Sequence, residues 1–514
     1  MSGPARKIPR TMATQHPDNA TVPPWSKGGG SIEGDDEVHE AYLAYSFYGV
    51  EEVMWDSEGK DADLHVVRKL LSRYPDYFRD HVLGRDVFLT YRLPNPFVEA
   101  GDRKVFSETL ESIPKHYDIG ERFYGEAVTT PVFEAVLPLT RSGDELVALH
   151  RYYSLVVAGK EDVALTDGLR VRDLVGLIRP KWIEVIPLLE DADSLLGARK
   201  ILERYLSAVR RPYMRVFLAR SDPAMSYGMV AAVLLVKHAL SELGALEEEH
   251  SVRIFPILGA GSLPFRGHLS PHNVGNVIEE YGGVWTFTIQ SAFRYDYPTE
   301  DSRSAISFLN SRNPGPKERL DASADEALRR VIAGYSREYR RLVGGLARLI
   351  SEIARHVPMR RARKPHAGLF GYSRSVGRTA LPRAIAFTGA LYSVGLPPEI
   401  FAADYLERLS EEDWRVVSST YRHLGIDLRR ALRYYSPESL RILRERAIVK
   451  DRLLESLRSS AQFIESAFGS EGDDYSSLKH RALSSLTLVA LLEGNGDEVS
   501  SNVVEMARLR RSLG

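Results

Sequence analysis

The sequence predicts an α/β protein, a (β/α)8 TIM-type barrel with a large additional α-helical region. Between Glu37 and about Glu300, short apolar runs alternate with longer amphipathic stretches. Polar side chains follow several of these runs at their carboxyl ends, where a barrel builds its active site. From Asp321 onward, apolar residues recur only at helical spacing. An open doubly wound sheet is the alternative arrangement of the same alternating elements.

An amino-terminal arm, residues 1–36, precedes the alternating region. It is rich in Pro, Gly, Thr and Asn, including Pro23-Pro24 and three consecutive glycines, which predicts an arm without regular structure. His16 lies in this arm, between Gln15 and Pro17. A histidine in this setting is either a positioned general base or a residue of a mobile arm. The second is the more common case, and spacing does not decide between them.

The strands come next, within a predicted barrel domain of residues 37–375. Continuously apolar runs are typical of parallel strands that are buried on both faces. The seven runs are Val53 to Trp55, Val87 to Leu93, Phe133 to Leu139, Ile183 to Leu189, Met214 to Ala219, Arg253 to Leu258 and Trp285 to Ile289. An eighth strand is predicted at Gly368 to Tyr372, which would complete the barrel.

Helices dominate the rest of the chain. Ser323 and Glu326 have capping-box spacing, and apolar residues then recur at helical intervals as far as Pro358, which predicts one long helix inserted near 320–357. Residues 376–514 predict a C-terminal helical region that packs on the barrel. Breaks are predicted near Leu396-Pro397-Pro398, at Ser436-Pro437 and from Gly469 to Asp474.

Two carboxylates follow neighbouring predicted strands, Glu190 after the fourth run and Asp222 after the fifth. Arg92, Ser221 and Gln290 also stand at carboxyl ends of runs. Because the chain has no cysteine, only nitrogen and oxygen ligands are available, and two carboxylates would suit Mg²⁺ or Mn²⁺. A pair of acidic loop residues in surface ion pairs explains the same pattern equally well.

Arg92, Arg266 and Arg294 follow three other predicted strands. Guanidinium groups bind phosphate and carboxylate in a bidentate manner, so three of them around one metal would indicate a polyanionic substrate. In a chain this rich in arginine, solvated surface is the alternative for each of them.

Composition excludes several classes of protein. The 68 basic and 69 acidic side chains give a net charge of −1, which excludes a nucleic-acid binder held by overall charge. The absence of cysteine excludes disulfides and thiolate catalysis. The amino terminus has no apolar signal-peptide core, and the longest apolar run, Met229 to Val236, ends at Lys237. We therefore expect a cytoplasmic protein without a membrane span.

Several separate motifs resemble those of one enzyme family. The segments Ala13 to Asn19, Glu184 to Glu190, Phe217 to Gly228 and Gly261 to Leu269 are similar to phosphoenolpyruvate carboxylase of the short, archaeal type. The resemblance extends over essentially the whole chain. It implies a (β/α)8 barrel with extra helices, a homotetramer, and Mg²⁺ or Mn²⁺ as cofactor. The implied reaction joins bicarbonate to phosphoenolpyruvate and gives oxaloacetate and phosphate, through carboxyphosphate and a metal-bound pyruvate enolate.

The resemblance also assigns roles to individual residues. His16 matches the catalytic histidine of a Thr-x-His-Pro motif, Glu190 and Asp222 match the metal carboxylates, and Arg92, Arg266 and Arg294 match anion-binding arginines. The chain departs from the longer bacterial and plant enzymes at three other positions: Ala260 and Met225 stand where those enzymes have Arg and Lys, and Ser512 stands where they have Asn. The last change implies weak or absent inhibition by aspartate or malate.

Two other interpretations remain open at this point. A metal-dependent lyase or aldolase that cleaves a carbon–carbon bond of a 2-oxo acid would also need two carboxylates and an arginine, but has no use for bicarbonate or for three arginines. A non-catalytic helical assembly protein whose barrel binds a phosphorylated effector would bind its ligand without turnover. A barrel fold alone does not separate these functions, since barrels carry many chemistries.

Overall fold

Eight parallel strands form a closed barrel in this protein, surrounded and extended by helices. The computed structural model describes residues 6–27, 30–58, 62–125, 129–211, 213–361, 375–376 and 379–514. Around the barrel, each strand is hydrogen-bonded to the next in the order β1, β2, β3, β4, β7, β8, β9, β10 and back to β1. The barrel predicted from the sequence is therefore confirmed, and the open doubly wound sheet is excluded.

The barrel strands are β1 (Thr11–Ala13), β2 (Glu52–Asp56), β3 (Phe88–Arg92), β4 (Glu134–Leu137), β7 (Glu184–Leu189), β8 (Tyr213–Ala219), β9 (Arg253–Gly259) and β10 (Thr286–Ile289). Two short hairpins lie outside the barrel, β5 (Ala164–Thr166) with β6 (Leu169–Arg170), and β11 (Ser375–Val376) with β12 (Thr379–Ala380).

The first eleven helices mostly connect barrel strands: α1 (Asp35–Ser46), α2 (Val66–Arg73), α3 (Pro75–Asp80), α4 (Arg103–Tyr124), α5 (Gly143–Arg151), α6 (Val171–Val175), α7 (Ala192–Leu196), α8 (Ala198–Ala208), α9 (Ser221–Tyr227), α10 (Met229–His250) and α11 (Val274–Glu280). The others are α12 (Ser291–Tyr295), α13 (Thr299–Ser311), α14 (Ala322–Ala354), α15 (Ala384–Ser393), α16 (Glu411–Thr420), α17 (Leu424–Leu432), α18 (Pro437–Glu445), α19 (Asp451–Phe468), α20 (Tyr475–Leu492) and α21 (Gly496–Arg510).

All seven strands predicted from apolar runs are present, but the eighth strand differs from the prediction. The barrel is closed by β1, which lies in the arm that we expected to lack regular structure. Ala13 pairs with Ile289 on one side and with Val53 on the other. The segment predicted as the eighth strand, residues 368–372, lies outside the described residues. A strand of only three residues, between Arg10 and Thr14, carries too little apolar pattern to be recognised.

Side chains fill the barrel interior in layers, because alternate residues of a strand point to the same face. At the amino ends of the strands, Arg215 forms ion pairs with Glu52 and Glu134, and its side chain has no exposed surface. Two residues further along the strands lies an apolar layer that includes Met54, Val136 and Phe217. The next positions, at the carboxyl ends, include the polar side chains of Asp56 and Arg92. The strand geometry therefore places polar side chains above an apolar floor.

The helical elements agree with the predicted pattern except at one cap. The long helix is α14, but its first turn is capped by Asp321, whose side chain accepts a hydrogen bond from the Ala324 N–H, and not by Ser323. The predicted breaks are confirmed between α15 and α16, at the start of α18, and between α19 and α20. α10 is long and apolar enough to cross a membrane, but 89% of its most apolar window is buried inside the protein, as in a core helix.

Candidate active site

A cavity of about 500 Å³ lies at the carboxyl ends of the barrel strands. Five of the six site residues predicted from the sequence line this cavity: His16, Arg92, Glu190, Asp222 and Arg266. They come from the arm, from the ends of β3, β7 and β8, and from the loop after β9. Ser221 and Gln290, two other predicted strand-end residues, also line it. Arg294 is not among the lining residues.

Glu190 and Asp222 contribute carboxylates to the same wall of the cavity. Glu190 directly follows β7, and its Oε2 accepts a hydrogen bond of 2.7 Å from the backbone N–H of Leu139. Leu139 has a φ of 52°, an uncommon conformation for a residue with a branched side chain, and this conformation directs its N–H at the carboxylate. Asp222 is half-buried in the first turn of α9, which begins directly after β8. Both carboxylates are thus held by the ends of strands.

Arg92 ends β3 and is surrounded by carboxylates. Its Nε lies 3.2 Å from Oδ1 of Asp56, the residue opposite it on β2, and its Nη2 forms an ion pair with Glu58. Because Asp56 and Glu58 are buried, the guanidinium group is fixed in orientation before any substrate binds.

His16 is half-buried and lies in the arm just after β1. Its Nδ1 is 2.9 Å from Oγ1 of Thr14, and its backbone oxygen accepts a hydrogen bond from Ser291 at the start of α12. The backbone N–H of Thr14 in turn donates to Ile289 at the end of β10. The histidine is therefore carried on backbone that continues the barrel wall, which excludes the mobile-arm interpretation.

Two buried aspartates fix the arm beyond His16. Asp18 accepts hydrogen bonds from the backbone N–H of Ala292 and from Arg266, and its backbone oxygen accepts one from Leu513 in the C-terminal segment. Asp296 accepts from the backbone N–H groups of Ala20 and Thr21, each at 2.7 Å. Burial raises the pKa of Asp296 to about 7, although those hydrogen bonds oppose the shift.

Arg266 is almost completely buried, and protein groups already occupy most of its donors. Nη1 contacts Asp18 and the backbone oxygen of Gly514, Nη2 contacts Gln290, and Nε contacts Ser221. Gly261 makes this arrangement possible, since a Cβ at that position would lie 2.9 Å from Cζ of Arg266. In this structure the guanidinium group therefore joins the arm, the ends of β8 and β10, and the C-terminal segment at the cavity wall.

Arg294 lies behind the arm rather than in the cavity. Its Nη2 donates to Glu40 at 3.0 Å and to the backbone oxygen of Thr14 at 3.2 Å. Glu40 also forms an ion pair with Arg361. Burial alone would raise the pKa of Glu40, but Arg361 and Arg294 outweigh it and hold the pKa below its ordinary value. Arg294 thus supports the arm that carries His16.

Five further charged residues line the cavity and were not among the predicted site residues: Glu58, Arg220, Arg360, Arg361 and Arg383. Glu58 and Arg220 follow β2 and β8, so the strand-end rule that identified Arg92 and Glu190 would have found them if applied to every run. Arg361 belongs to a basic run, Arg360 to Lys364, that is typical of a solvated face, yet its side chain is buried. Arg383 follows no barrel strand, and only the tertiary fold brings it to the cavity.

The cavity combines two groups of side chains that suit a divalent cation and an oxyanion. Glu190 and Asp222 offer only oxygen ligands, which fits a hard cation such as Mg²⁺ or Mn²⁺. The Leu139 N–H orients Glu190, as hydrogen bonds to metal-binding carboxylates commonly do. Arginines surround the two carboxylates, which fits a substrate with negative charge.

Comparisons with known proteins identify the family. A family model described as phosphoenolpyruvate carboxylase matches residues 8–514. A protein from Metallosphaera sedula named phosphoenolpyruvate carboxylase is 51% identical over 510 residues, which cover 99% of this chain and 100% of that protein. A protein of the same name from Caldivirga maquilingensis is 45% identical over 513 residues, with 99% and 100% coverage.

Solved structures show a more distant likeness. A citrate lyase from Burkholderia xenovorans is 14% identical, with a TM-score of 0.35, over 66% of this chain and 85% of that chain. The architecture described above rests on the hydrogen-bonded strand order and not on this likeness.

Proposed function

Because the chain belongs to the phosphoenolpyruvate carboxylase family, and is a carboxy-lyase of that type, we propose that the cavity at the carboxyl ends of the barrel strands is the site of that reaction. The observation that supports it best is the meeting of His16, Arg92, Glu190, Asp222 and Arg266 around one cavity, although they are far apart in sequence. In the proposed reaction, bicarbonate attacks the phosphorus of phosphoenolpyruvate. Carboxyphosphate and the enolate of pyruvate form, and the enolate then captures CO₂ to give oxaloacetate.

Glu190 and Asp222 are the proposed ligands of a divalent cation, Mg²⁺ or Mn²⁺. When bound there, such a cation supplies Lewis-acid stabilisation of the negative charge that develops on the enolate oxygen. The chain's own contribution is to hold the two carboxylates: the Leu139 N–H fixes Glu190, and the start of α9 fixes Asp222. Glu190→Gln and Asp222→Asn should each weaken Mn²⁺ binding in calorimetric titration, and wild-type affinity in both variants would contradict this metal site.

Arg92 is the proposed ligand of the phosphate or carboxylate of the substrate. Asp56 and Glu58 hold its guanidinium group in place, so little conformational entropy is lost when the anion binds. Arg266 and Arg294 have the same role by family resemblance. In this structure they hold the arm and the C-terminal segment, which supports a positioning role for both.

His16 is the proposed general base that removes the proton of carboxyphosphate. The contact between its Nδ1 and Thr14 fixes the ring, and we assign proton transfer to Nε2. Loss of that proton lets carboxyphosphate break into CO₂ and phosphate next to the enolate. The apolar wall formed by Leu188, Phe217 and Val357 limits water, which would otherwise protonate the enolate to pyruvate.

We also propose a cytoplasmic homotetramer as the working form. A tetramer with three perpendicular two-fold axes needs two different self-complementary surfaces, and the described chain exposes two separate apolar patches. The hairpin patch consists of Leu155, Val156, Val163, Leu165, Leu174, Val175, Leu177 and Trp182. The helix patch lies on α20 and consists of Tyr475, Leu478, Leu486, Val489 and Leu492. The burial of the apolar helix α10 supports a cytoplasmic rather than a membrane-bound protein.

The experiment that tests the proposed reaction measures oxaloacetate formation from phosphoenolpyruvate and Mg²⁺, coupled to malate dehydrogenase, with and without bicarbonate. We expect a signal that depends on bicarbonate and on the metal. Product formation that is independent of bicarbonate, or phosphoenolpyruvate binding without any product, would contradict the proposal.

A further inference from the structure

Arg220 is one of the charged residues of the cavity wall that have no role in the proposed reaction as described so far. It follows the last residue of β8 and immediately precedes Ser221 and Asp222. Its side chain has no exposed surface, and its Nε donates to the hydroxyl oxygen of Tyr281 at 2.9 Å. Its Nη1 is also buried, but finds no hydrogen-bond partner among the described residues.

An unsatisfied guanidinium nitrogen inside a protein is costly. Most buried donors are paired, and the burial of a charge without a partner destabilises the folded chain. Arg220 lines the same cavity as Glu190 and Asp222. A negatively charged ligand in this cavity would satisfy Nη1, and would explain why a buried arginine is tolerated there.

The space for such a ligand is the cavity itself, since the Arg220 stem is closely packed on its other side. Ala260 and Gly267 pack against each other beside the Arg220 side chain, with an ideal Cβ on Gly267 lying 2.7 Å from Cβ of Ala260 and 3.7 Å from Cβ of Arg220. Ala260 carries no charge, and neither does Met225 on α9. The end of β8 and the loop after β9 thus bring two arginines to the cavity near Asp222, Arg220 and Arg266. Protein groups occupy most donors of Arg266, whereas Nη1 of Arg220 has no partner among the described residues.

We propose that Arg220 binds an oxyanion of a substrate directly, through Nη1, beside the two proposed metal ligands. The oxyanion belongs to phosphoenolpyruvate or to bicarbonate. Each of these offers oxygen atoms that accept hydrogen bonds from a guanidinium group. Tyr281 holds Nε and so sets the direction of the fork. The identity of the oxyanion rests on the proposed function. Its negative charge is inferred from the buried Arg220 side chain.

Three variants separate ligand binding from a purely structural role. Arg220→Met removes the donor, and Arg220→Lys keeps a charge without the fork. Tyr281→Phe removes the buried partner of Nε and leaves the guanidinium group in place. For Arg220→Met we expect the KM of one substrate to rise about 10- to 100-fold, as for the loss of a charge-assisted hydrogen bond. Arg220→Lys should recover part of that loss. Tyr281→Phe should raise the same KM by a smaller factor, because the guanidinium group loses the contact that orients it.

Stability provides the second measurement. Arg220→Met combined with Tyr281→Phe removes both partners of one buried hydrogen bond together with the unsatisfied Nη1. We expect its melting temperature without ligand to equal or exceed that of the wild type. The rise in melting temperature that inorganic phosphate or phosphoenolpyruvate causes should be smaller in this variant than in the wild type at the same ligand concentration. A lower melting temperature, with the ligand-induced rise preserved, would overturn the proposal.

The kinetic constants identify the oxyanion. A raised KM for phosphoenolpyruvate with an unchanged KM for bicarbonate assigns it to phosphoenolpyruvate, and the reverse pattern assigns it to bicarbonate. Unchanged values for both substrates in Arg220→Met would overturn the proposal. If the wild type forms no bicarbonate-dependent product but its phosphate-induced stabilisation still depends on Arg220, the proposed function fails while the oxyanion site stands.

Discussion

At the scale of single residues, the site depends on polar groups that are oriented by backbone. Leu139 adopts a left-handed conformation and donates to Glu190, and Thr14 contacts the ring of His16. Such contacts fix side chains before substrate binds, so that little reorganisation is needed during the reaction. Substitutions of the reacting residues should therefore change the chemistry more than they change the fold.

His16→Asn should lower oxaloacetate formation about 10²- to 10⁴-fold, as expected when a general base is removed. Bicarbonate-dependent release of phosphate should persist in part, because in the proposed reaction the attack on phosphorus precedes the step that needs the base. The measurement is parallel assay of oxaloacetate and phosphate. Unchanged carboxylation would show that His16 is not the base.

Asp296 should make stability depend on pH. Its pKa is about 7 in the folded protein, against an ordinary value near 3.8, so the folded state binds the proton more tightly. The stabilisation that protonated Asp296 contributes is therefore fully present below about pH 4 and is lost as pH rises towards 7. The free energy of unfolding should fall by up to about 1.4 kcal/mol per pH unit in this range. Denaturant titrations of wild type and Asp296→Asn between these pH values should show a smaller slope in the variant. Equal slopes would contradict the raised pKa.

The sequence allowed much of the site to be predicted at this scale, for a simple physical reason. A parallel strand ends where its polar residues begin, so Arg92, Glu190 and Asp222 could be placed at one edge of the barrel without any coordinates. Arg361 and Arg383 could not be placed, because their positions depend on how the helical region folds back over the barrel. Arg294 was predicted from its place after a strand, but its partner Glu40 on α1 determines where it points.

At the scale of elements, strand periodicity builds the barrel interior from three kinds of layer. Glu52 and Met54 on β2, and Arg215 and Phe217 on β8, are two residues apart and so point inward one above the other. The ion cluster of Arg215 with Glu52 and Glu134 thus lies below the apolar layer, at the end of the barrel opposite the cavity. Its contribution is to the fold and not to the reaction.

Arg215→Met should be strongly destabilising, by about 3–5 kcal/mol, because Glu52 and Glu134 would remain buried without their shared partner. Chemical denaturation measures the loss. The triple variant that adds Glu52→Gln and Glu134→Gln is the matched control, since it removes the uncompensated charges and should recover part of the stability. If the single variant is as stable as the wild type, the pairing does not matter for the fold.

The strands themselves show where sequence patterns are sufficient and where they are not. The seven longer strands were predictable, because each buries a continuous apolar run on both faces. β1 was not, because its three residues receive their burial and hydrogen bonds from β2 and β10 rather than from their own pattern. The cap of α14 was not predicted correctly either. The structure has Asp321 as the cap and not Ser323, because local spacing does not determine which of the two caps the helix.

At the scale of the whole molecule, exposed apolar side chains are concentrated rather than scattered. Among the described residues, the hairpin patch and the helix patch hold most of the large exposed hydrophobic side chains. α20 is unusual because it buries Ser477, His480 and Ser484 while it exposes Leu478, Leu486 and Val489. An apolar outer face on a surface helix is typical of contact with another chain.

Each patch should hold one two-fold contact of the proposed tetramer. Leu174→Asp in the hairpin patch and Leu486→Asp in the helix patch should each give dimers, and the double variant should give monomers, since a charge in an apolar contact is costly. Analytical ultracentrifugation measures the mass against the 57.7 kDa chain. Phe308→Asp, which lies outside both patches, should keep the wild-type mass.

A single variant that retains the mass of the wild type would exclude its patch as an interface. A wild type that is itself monomeric would contradict the tetramer, and would leave the assignment of the active site untouched.

The closure of the barrel by β1 has a consequence for synthesis. During translation the arm emerges first, yet its pairing partner β10 lies about 280 residues further along the chain. At about 5–20 residues per second, β1 waits roughly 15–55 s before the ribosome has made the strand that it needs. Closure of so long a loop also comes late in folding, because its entropy must be overcome by contacts formed earlier. The arm that carries His16 therefore reaches its place only when nearly all of the barrel has been synthesised. An incomplete chain consequently lacks the assembled site.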